Sequence, residues 1–518
     1  MAACGRELTR ALEAERQPEV RVIVAGLDLE GRFELGPRER VAAGAVVRAG
    51  ERLADGALVR LLLASALEDD RGLMMPVLGK ERQALGQERV RGLCAHAIQA
   101  AVADISPFRG LRYDLTKVGD LGTVAAPPYD VIPPEALERF EQASSYNVVR
   151  LILGRQEAGS DQYTRAAETL EAWIREGVMV RDERERITVY EQTFSAGGRS
   201  RVQRGVLVAA AIEDEPRAIL PHERTMAGPV EDRLNLLRAT RTNLSPVFAV
   251  YSAEDGGARE VVARVVETEP WATWSSEDDG VDHKAWILED PGDIAAITRT
   301  LASAVVVIAD GHHRYHTARE YRRERRGADG DGPWDAMLFY LVDSAWCGPA
   351  LLPIHRVVDI PSGEVLDRLS GAFEIEPAAG TDADALAAEL EQRREAGRTF
   401  ALVGPDGAHW LTVADKEAEA DAMPADRPEV WRDLDVAVLE WFVMRRLLGG
   451  VEARYVHHPY EAAKLVADGE AGAAFLLAPP TFESVRSIAE VGEAMPPKST
   501  FFVPKPRTGI VLRPLDGR

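Results

Sequence analysis

At 518 residues the chain is long enough for about two to four domains and a sizeable core. A net charge of −22 argues against a general nucleic-acid or anionic-membrane binder, because phosphate backbones demand a cationic face. The three cysteines, Cys4, Cys94 and Cys347, lack CxxC spacing, which disfavours a disulfide framework or zinc ribbon and fits a reducing cytoplasm.

No run of about 18 or more apolar residues occurs, so no transmembrane span is expected, and the N-terminus does not read as a signal peptide. Charge is unevenly spread. Residues 1–104 carry a net of −1 and the rest carry −21, so the first hundred residues read as an extension or a small accessory domain. Within them Val20–Leu27 is a candidate strand and Glu88–Ala103 a candidate helix, with no chemical constellation. The proposed division is 1–104, a motif-bearing core at 105–360, and a C-terminal α/β part at 361–518.

From Ile105 the character changes. Pro127 and Pro128 make AAPPYD a rigid stretch: either a packed edge turn or a pocket wall that presents Tyr129 and Asp130. Pro133-Pro134-Glu135 opens a helix. Asn147–Leu153 reads as a strand and Asp161–Glu176 as an amphipathic helix. Ile187–Thr193 and Gln203–Ile212 read as a hairpin around Gly197-Gly198.

A dense polar segment follows, Leu220–Ser245. His222-Glu223-Arg224-Thr225 resembles the start of HExxH, but Met226 stands where the second histidine is needed. A carboxylate beside an imidazole still suits general-base work, or a salt-bridged loop entering a helix. Arg233 and Arg241, eight apart, frame a second anion or form a solvated face. Ser245–Ser252 reads as the next strand, and residues 253–290 are acidic and polar, with Trp271, Trp274 and Trp286 interspersed.

The most informative stretch is Ala304–Arg326. Ala304–Ala309 is a short apolar, β-branched run and reads as a buried strand. From His313 onward the residues are helix formers. Asp310-Gly311 falls at the turn between them. Free N–H groups and the positive dipole end make a helix start an anion site, and Arg314 adds a fork suited to phosphate oxygens. Asp310 could hold Mg²⁺ or act as a base. His312 and His316 have a metal-ligand spacing, which alone is weak evidence. The competing reading is a structural turn with a cationic cap.

Gly327–Gly332 reads as a loop, Ala336–Val342 as an apolar strand, and Leu351–Val358 as a strand carrying His355 and Arg356. Beyond these, Asp382–Glu395 is a helix, Thr399–Val403 a strand, Lys416–Arg427 a surface loop and Asp433–Leu448 an amphipathic helix. Met495–Pro506 is Pro-rich, aromatic and basic, and is expected to dock on the core. Lys498, Lys505 and Arg507 there could close over phosphates or form an ordinary C-terminal staple. No Walker A loop, GxGxxG or GxSxG is present.

The segments FRGLRYD, APPYDVI, NVVRLILG, PHERTMAGPVEDRLNLLRATRTNLSP, ADGHHRYHTA, LPIHRVV and MPPKSTFFVPKPRTG together resemble an uncharacterised conserved bacterial and archaeal domain family, from Ile105 to Leu512. IADGHHRYHTA also looks like the phosphate box of the ParB/sulfiredoxin superfamily. That resemblance implies an α+β fold with a mixed-sheet core and a strand-turn-helix phosphate site. It places Gly311, His312, His313 and Arg314 at nucleotide phosphates, and Arg233 joins them as a phosphate candidate from its helical spacing alone. Asp310 falls near the metal or reacting group. His222, Glu223 and Asp310 become the catalytic candidates, and Tyr129, Asp130, Thr225 and His355 the substrate pocket.

The implied activity is phosphoryl transfer from ATP or another nucleotide, with Mg²⁺, to a small hydroxylated metabolite, serine-like by analogy with the kinases of that superfamily. The alternatives are a phosphate-ester or nucleotide hydrolase, or a non-catalytic nucleotide-binding module. The sulfiredoxin cysteine is missing from the turn, and DNA-binding helices are not evident.

Overall fold

A computed structural model describes residues 103–155, 161–394 and 397–516. The readings made on residues 1–102 lie outside the described residues. Among the described residues, no helix is long and apolar enough to cross a membrane.

The fold is α+β, as expected, and is built on two sheets within one unit. The larger sheet has nine strands: β1 (Ile105–Ser106), β2 (Ile187–Ala196), β3 (Arg199–Ala211), β4 (Ile219–Leu220), β5 (Val247–Ser252), β6 (Ala272–Ser276), β7 (Val281–Leu288), β8 (Val305–Asp310) and β9 (Ala336–Asp343). Their order is β4-β8-β5-β9-β3-β2-β7-β6, with β1 paired to β3. The sheet is mixed: β8 runs parallel to β4 and β9 parallel to β5, while the other pairings are antiparallel. Strand β9 is buried from Met337 to Asp343, which is why its sequence is continuously apolar rather than alternating.

The second sheet is wholly antiparallel. Its strands are β10 (His355–Val358), β11 (Phe373–Pro377), β12 (Thr399–Gly404), β13 (Gly407–Val413), β14 (Arg454–Val456) and β15 (Ala473–Leu476), ordered β11-β13-β12-β15-β10-β14.

Several local expectations are corrected. Asn147–Leu153 is not a strand. Val149–Ile152 is a helical turn, capped by the Asn147 side chain, which accepts the Val149 N–H at 3.0 Å. Val148, Val149, Leu151 and Ile152 are all buried, so tertiary burial overrides the β propensity of the run. Leu351–Val358 is two strands, not one. Ala350–Leu352 pairs with Phe501–Val503, and β10 belongs to the second sheet. Pro353 lies between them and has no N–H to continue a ladder.

Residues 253–290 hold a helix, Gly257–Val265, and the β6/β7 hairpin. The Gly327–Gly332 loop starts later than expected, because the helix runs to Asp329. Lys416–Ala422 is a helix, where Asp415 caps the Ala418 N–H at 2.9 Å.

The C-terminal segment docks as expected and crosses both sheets. Arg356 at the start of β10 donates to the Lys498 carbonyl at 3.0 Å. Phe501–Val503 pairs with Ala350–Leu352. Buried Gln203, from β3, donates to the Pro504 carbonyl at 3.1 Å, and Gln192, from β2, to the Lys505 carbonyl at 3.0 Å. Arg507 forms a two-pronged pair with Asp278 at 2.7 and 2.8 Å in the turn between β6 and β7. This strap places Lys505 beside the end of β8.

Candidate active site

The site is built on the end of β8. Pairing with β5 shifts register between Ile308 and Asp310, so Ala309 is the extra residue of a bulge. Bulges re-aim the side chain that follows them and are common beside active sites. Gly311 then turns the chain with φ 93° and starts an 18-residue helix, His312–Asp329, with no side chain capping its first turn. The first backbone N–H groups there have no side-chain cap, which is the anion-binding end of a helix.

Glycine is required at this turn. A Cβ on Gly311 falls 3.0 Å from Cζ and Nε of Arg314, and its left-handed φ penalises any L side chain. Gly311→Ala is expected to cost about 1–2 kcal/mol. A chemical-denaturation midpoint checks this, and an unchanged midpoint refutes the strain.

Asp310 is largely shielded, with 13% of its side chain exposed, between two cations. Lys505 Nζ bonds its Oδ1 and Arg314 Nη2 bonds its Oδ2, while the other end of the Arg314 fork donates to the Pro246 carbonyl. Burial pushes the Asp310 carboxyl up, but Lys505 and Arg314 outweigh it and hold it below the ordinary 3.8. Burial pulls the Lys505 ammonium down, and Asp310 more than offsets it. Lys505 and Arg314 against one buried carboxylate leave an excess of one positive charge at the dipole-positive end of a helix. Asp130, on the Tyr129–Val131 turn, is exposed and acts on Lys505 and His313 from the solvent side.

The three imidazoles of the turn bind a loop rather than open space. His312 Nε2 accepts the His222 N–H at 3.3 Å, His313 Nε2 accepts the Met226 N–H at 3.0 Å, and His316 Nδ1 meets Thr225 Oγ1 at 2.9 Å. Because Nε2 of His312 accepts, its proton sits on Nδ1, which faces Glu223 at 3.5 Å. Burial pulls His312 down to about 3, so it is neutral at pH 7. His222 is likewise buried and pulled to about 3, first by burial and then by His312, whose ring lies edge-on at 4.7 Å. Its Nε2 meets Thr500 Oγ1 at 3.2 Å, and its carbonyl accepts the Met495 N–H at 2.8 Å. The His222–Met226 loop is thus clamped between the turn and the strap, and Glu223 is left half exposed above it.

Four expectations are changed by this geometry. His312 and His313, expected at phosphates, spend their Nε2 lone pairs on backbone N–H groups, so each keeps only Nδ1–H as a donor, and that of His312 faces Glu223. The Arg314 fork is turned inward, so it offers charge more than free donors.

Asp310 as a metal ligand is corrected. Both its oxygens carry a cation, and among the described residues no group of three or more His, Cys, Asp and Glu is placed to hold a metal ion. The residues do not fit Mg²⁺ at this carboxylate.

His355 is not brought to the turn. It sits buried in β10, with Nδ1 accepting the Leu477 N–H at 3.3 Å, because the break at Pro353 diverts its strand into the second sheet.

Tyr129, Arg233 and Arg314 do meet. Arg233 stacks 4.2 Å over the Tyr129 ring, and the three line a cavity of about 50 Å³. Tyr129 and Arg233 also wall a cavity of about 230 Å³ with Gln162, Tyr163 and Asp232. A cavity of about 350 Å³ lies elsewhere, near Pro353, Asp435 and Ser484, where Arg398 is fully engaged by Glu419, Asp433 and Asp435. Lys505 reads from the sequence as able to close over phosphates, but its pairing with Asp310 is not foreseen there. Its position between two prolines in VPKP was the visible signal of a rigidly held cation.

The family model described as a protein of unknown function, DUF1015, matches residues 105–437. The chain belongs to this family. The match ends before the strap, so Lys498 and Lys505 lie beyond the matched residues. No curated protein matches the chain. Among solved structures, a free serine kinase in complex with AMP is similar at 17% identity, covering 58% of this chain and 87% of that one, with a TM-score of 0.29. A conserved hypothetical protein from Pyrococcus furiosus matches at 16% identity over 59% and 93% of the two chains, with a TM-score of 0.28. SbnI with a C-terminal truncation, from Staphylococcus aureus, matches at 10% identity over 57% and 82%, with a TM-score of 0.29. Superpositions this loose carry no argument about what the chain binds or does.

Proposed function

We propose that the chain binds a nucleotide at the Asp310 turn and transfers a phosphoryl group to a small hydroxylated metabolite. The observation that carries the reading is Asp310 held between Lys505 and Arg314 at an uncapped helix start. Phosphoryl transfer requires positioning and charge neutralisation more than covalent chemistry, and one buried and one partly exposed cation beside a helix start without a side-chain cap supply both. Lys505 keeps two N–H donors beyond the one given to Asp310, and these reach the transferring phosphate.

Glu223 supplies the base. The acceptor hydroxyl gives its proton to the Glu223 carboxylate as its oxygen bonds to the terminal phosphorus. The bond from that phosphorus to the bridging oxygen breaks, and the nucleoside diphosphate leaves. His312 Nδ1–H orients Glu223. A serine-like hydroxyl acceptor is one candidate among small alcohols.

Binding of ATP, supplied as its magnesium salt, tests the reading by calorimetry. Lys505→Met removes a charge-assisted contact worth about 1.5–3 kcal/mol and is expected to weaken binding about 10- to 150-fold. Equal affinity of Lys505→Met and the unaltered chain sinks the proposed site. Release of ADP only when a hydroxylated co-substrate is present marks a transferase, whereas release with water alone marks a hydrolase.

A further inference from the structure

Beyond Lys505, the cationic site continues onto an aromatic surface that neither the turn nor the clamped loop uses. Lys505 Nζ, bonded to Asp310 at one end, lies 5.8 Å from the centroid of the Phe501 ring. Phe501 stacks on His457, with centroids 4.1 Å apart and planes 26° apart. His457 follows the edge strand β14 and is half buried, and its Nδ1 is shielded from solvent without a hydrogen-bond partner. Burial, then Lys498, His458 and Lys505, push its imidazole below the ordinary 6.5, with Glu461 opposing. The ring is therefore a neutral flat face rather than a cation.

Lys498, whose charge acts on His457, is exposed and holds a left-handed backbone conformation with φ 57° that a non-glycine residue adopts at a cost. Arg356 fixes that conformation by donating to the Lys498 carbonyl at 3.0 Å. Tyr455, under the Arg356 guanidinium, and Tyr460, beside His458, are 46% and 54% exposed. An aromatic face with lysines at its rim, continuous with a phosphate site, has the chemistry that holds a nucleobase: stacking for the ring and cations for the phosphates.

We infer that the His457–Phe501 stack and Lys498 receive the base end of the nucleotide whose phosphates lie at Asp310–Arg314. The inference rests on the proposed function and deepens it, because it divides the ligand in two. Phosphates are read by the first sheet and Lys505 of the strap, and the base by Phe501 and Lys498 of the strap together with His457 beyond the edge of the second sheet. The ligand then bridges the two sheets, with Lys505 at the joint.

The test compares ATP with tripolyphosphate, which carries the phosphates and no base, by calorimetry on the full chain. The unaltered protein is expected to bind both, ATP more tightly. His457→Ala should weaken ATP about tenfold, as loss of one stacking contact does, and leave tripolyphosphate unchanged. His457→Phe, which keeps a flat ring, should bind ATP like the unaltered chain. The inference is overturned if His457→Ala affects both ligands alike or neither, if His457→Phe does not restore ATP binding, or if ATP binds no more tightly than tripolyphosphate. If the unaltered chain binds neither ligand, the reading of the Asp310 turn falls first and this inference falls with it.

Discussion

Lowering the pH from 7 to 5 is expected to unfold the described unit, well above the pH at which carboxylates titrate. Four buried histidines, His222, His283, His312 and His355, are each pulled to about 3, in every case first by burial. In the unfolded chain each returns to about 6.5. Between these values the unfolded state binds the proton and the folded state does not. The stability is therefore fully present above pH 6.5 and is lost as the pH falls towards 3. Each histidine contributes a slope of about 1.4 kcal/mol per pH unit. Four together remove roughly 8 kcal/mol by pH 5, comparable with the whole stability of an ordinary domain.

The folded form has little room to relieve this. His283 is sandwiched against Trp274 and bonded to Tyr190 and Ser276 at 2.8 Å, and the rings of His222 and His312 touch. Circular dichroism during acid titration reads the loss. Full helical signal persisting at pH 4.5 contradicts neutral burial of these four rings.

Asp310→Asn carries the second large effect. It leaves Lys505 and Arg314 buried without the carboxylate that balances them, and breaking a buried pair in this way costs about 3–5 kcal/mol. Inorganic phosphate should recover part of the loss, because an anion at the helix start replaces the missing charge. Thermal melts with and without phosphate read both effects, and a variant that melts with the unaltered protein refutes the buried pairing. Because the Asp310 carboxyl is held below its ordinary 3.8, its contribution is present above that value and fades as the pH falls through the lower, folded one. Asp310→Asn therefore also flattens the pH dependence below about pH 4.

The strand-turn-helix at Ala304–Arg326 was legible from residues because its signals are local. An apolar β-branched run, a glycine and a stretch of helix formers each act over a few neighbours. The strand Val247–Ser252 and the hairpin of β2 and β3 were legible for the same reason. Asn147–Leu153 was not, because β-branched residues sit equally well in a buried helical turn once the Asn147 side chain caps it. The β6/β7 hairpin was hidden by acidic residues that serve as partners for Arg507. The family motifs drew attention to His312, His313 and Arg314, but residue type cannot say whether a polar side chain faces a ligand or a neighbouring loop.

What the sequence by itself determined is therefore the α+β class, the glycine turn that exposes a helix start, and a short inventory of titratable residues around it. The tertiary structure decided which of those residues meet. Lys505 reaches Asp310 across 195 residues of chain, His355 is carried off into the second sheet, and the imidazoles spend their lone pairs on the His222–Met226 loop. The physical reason is that backbone conformation is fixed by neighbours in the chain. A charge or hydrogen bond is fixed by whatever the folded chain brings within about 3 Å, and no periodicity records that.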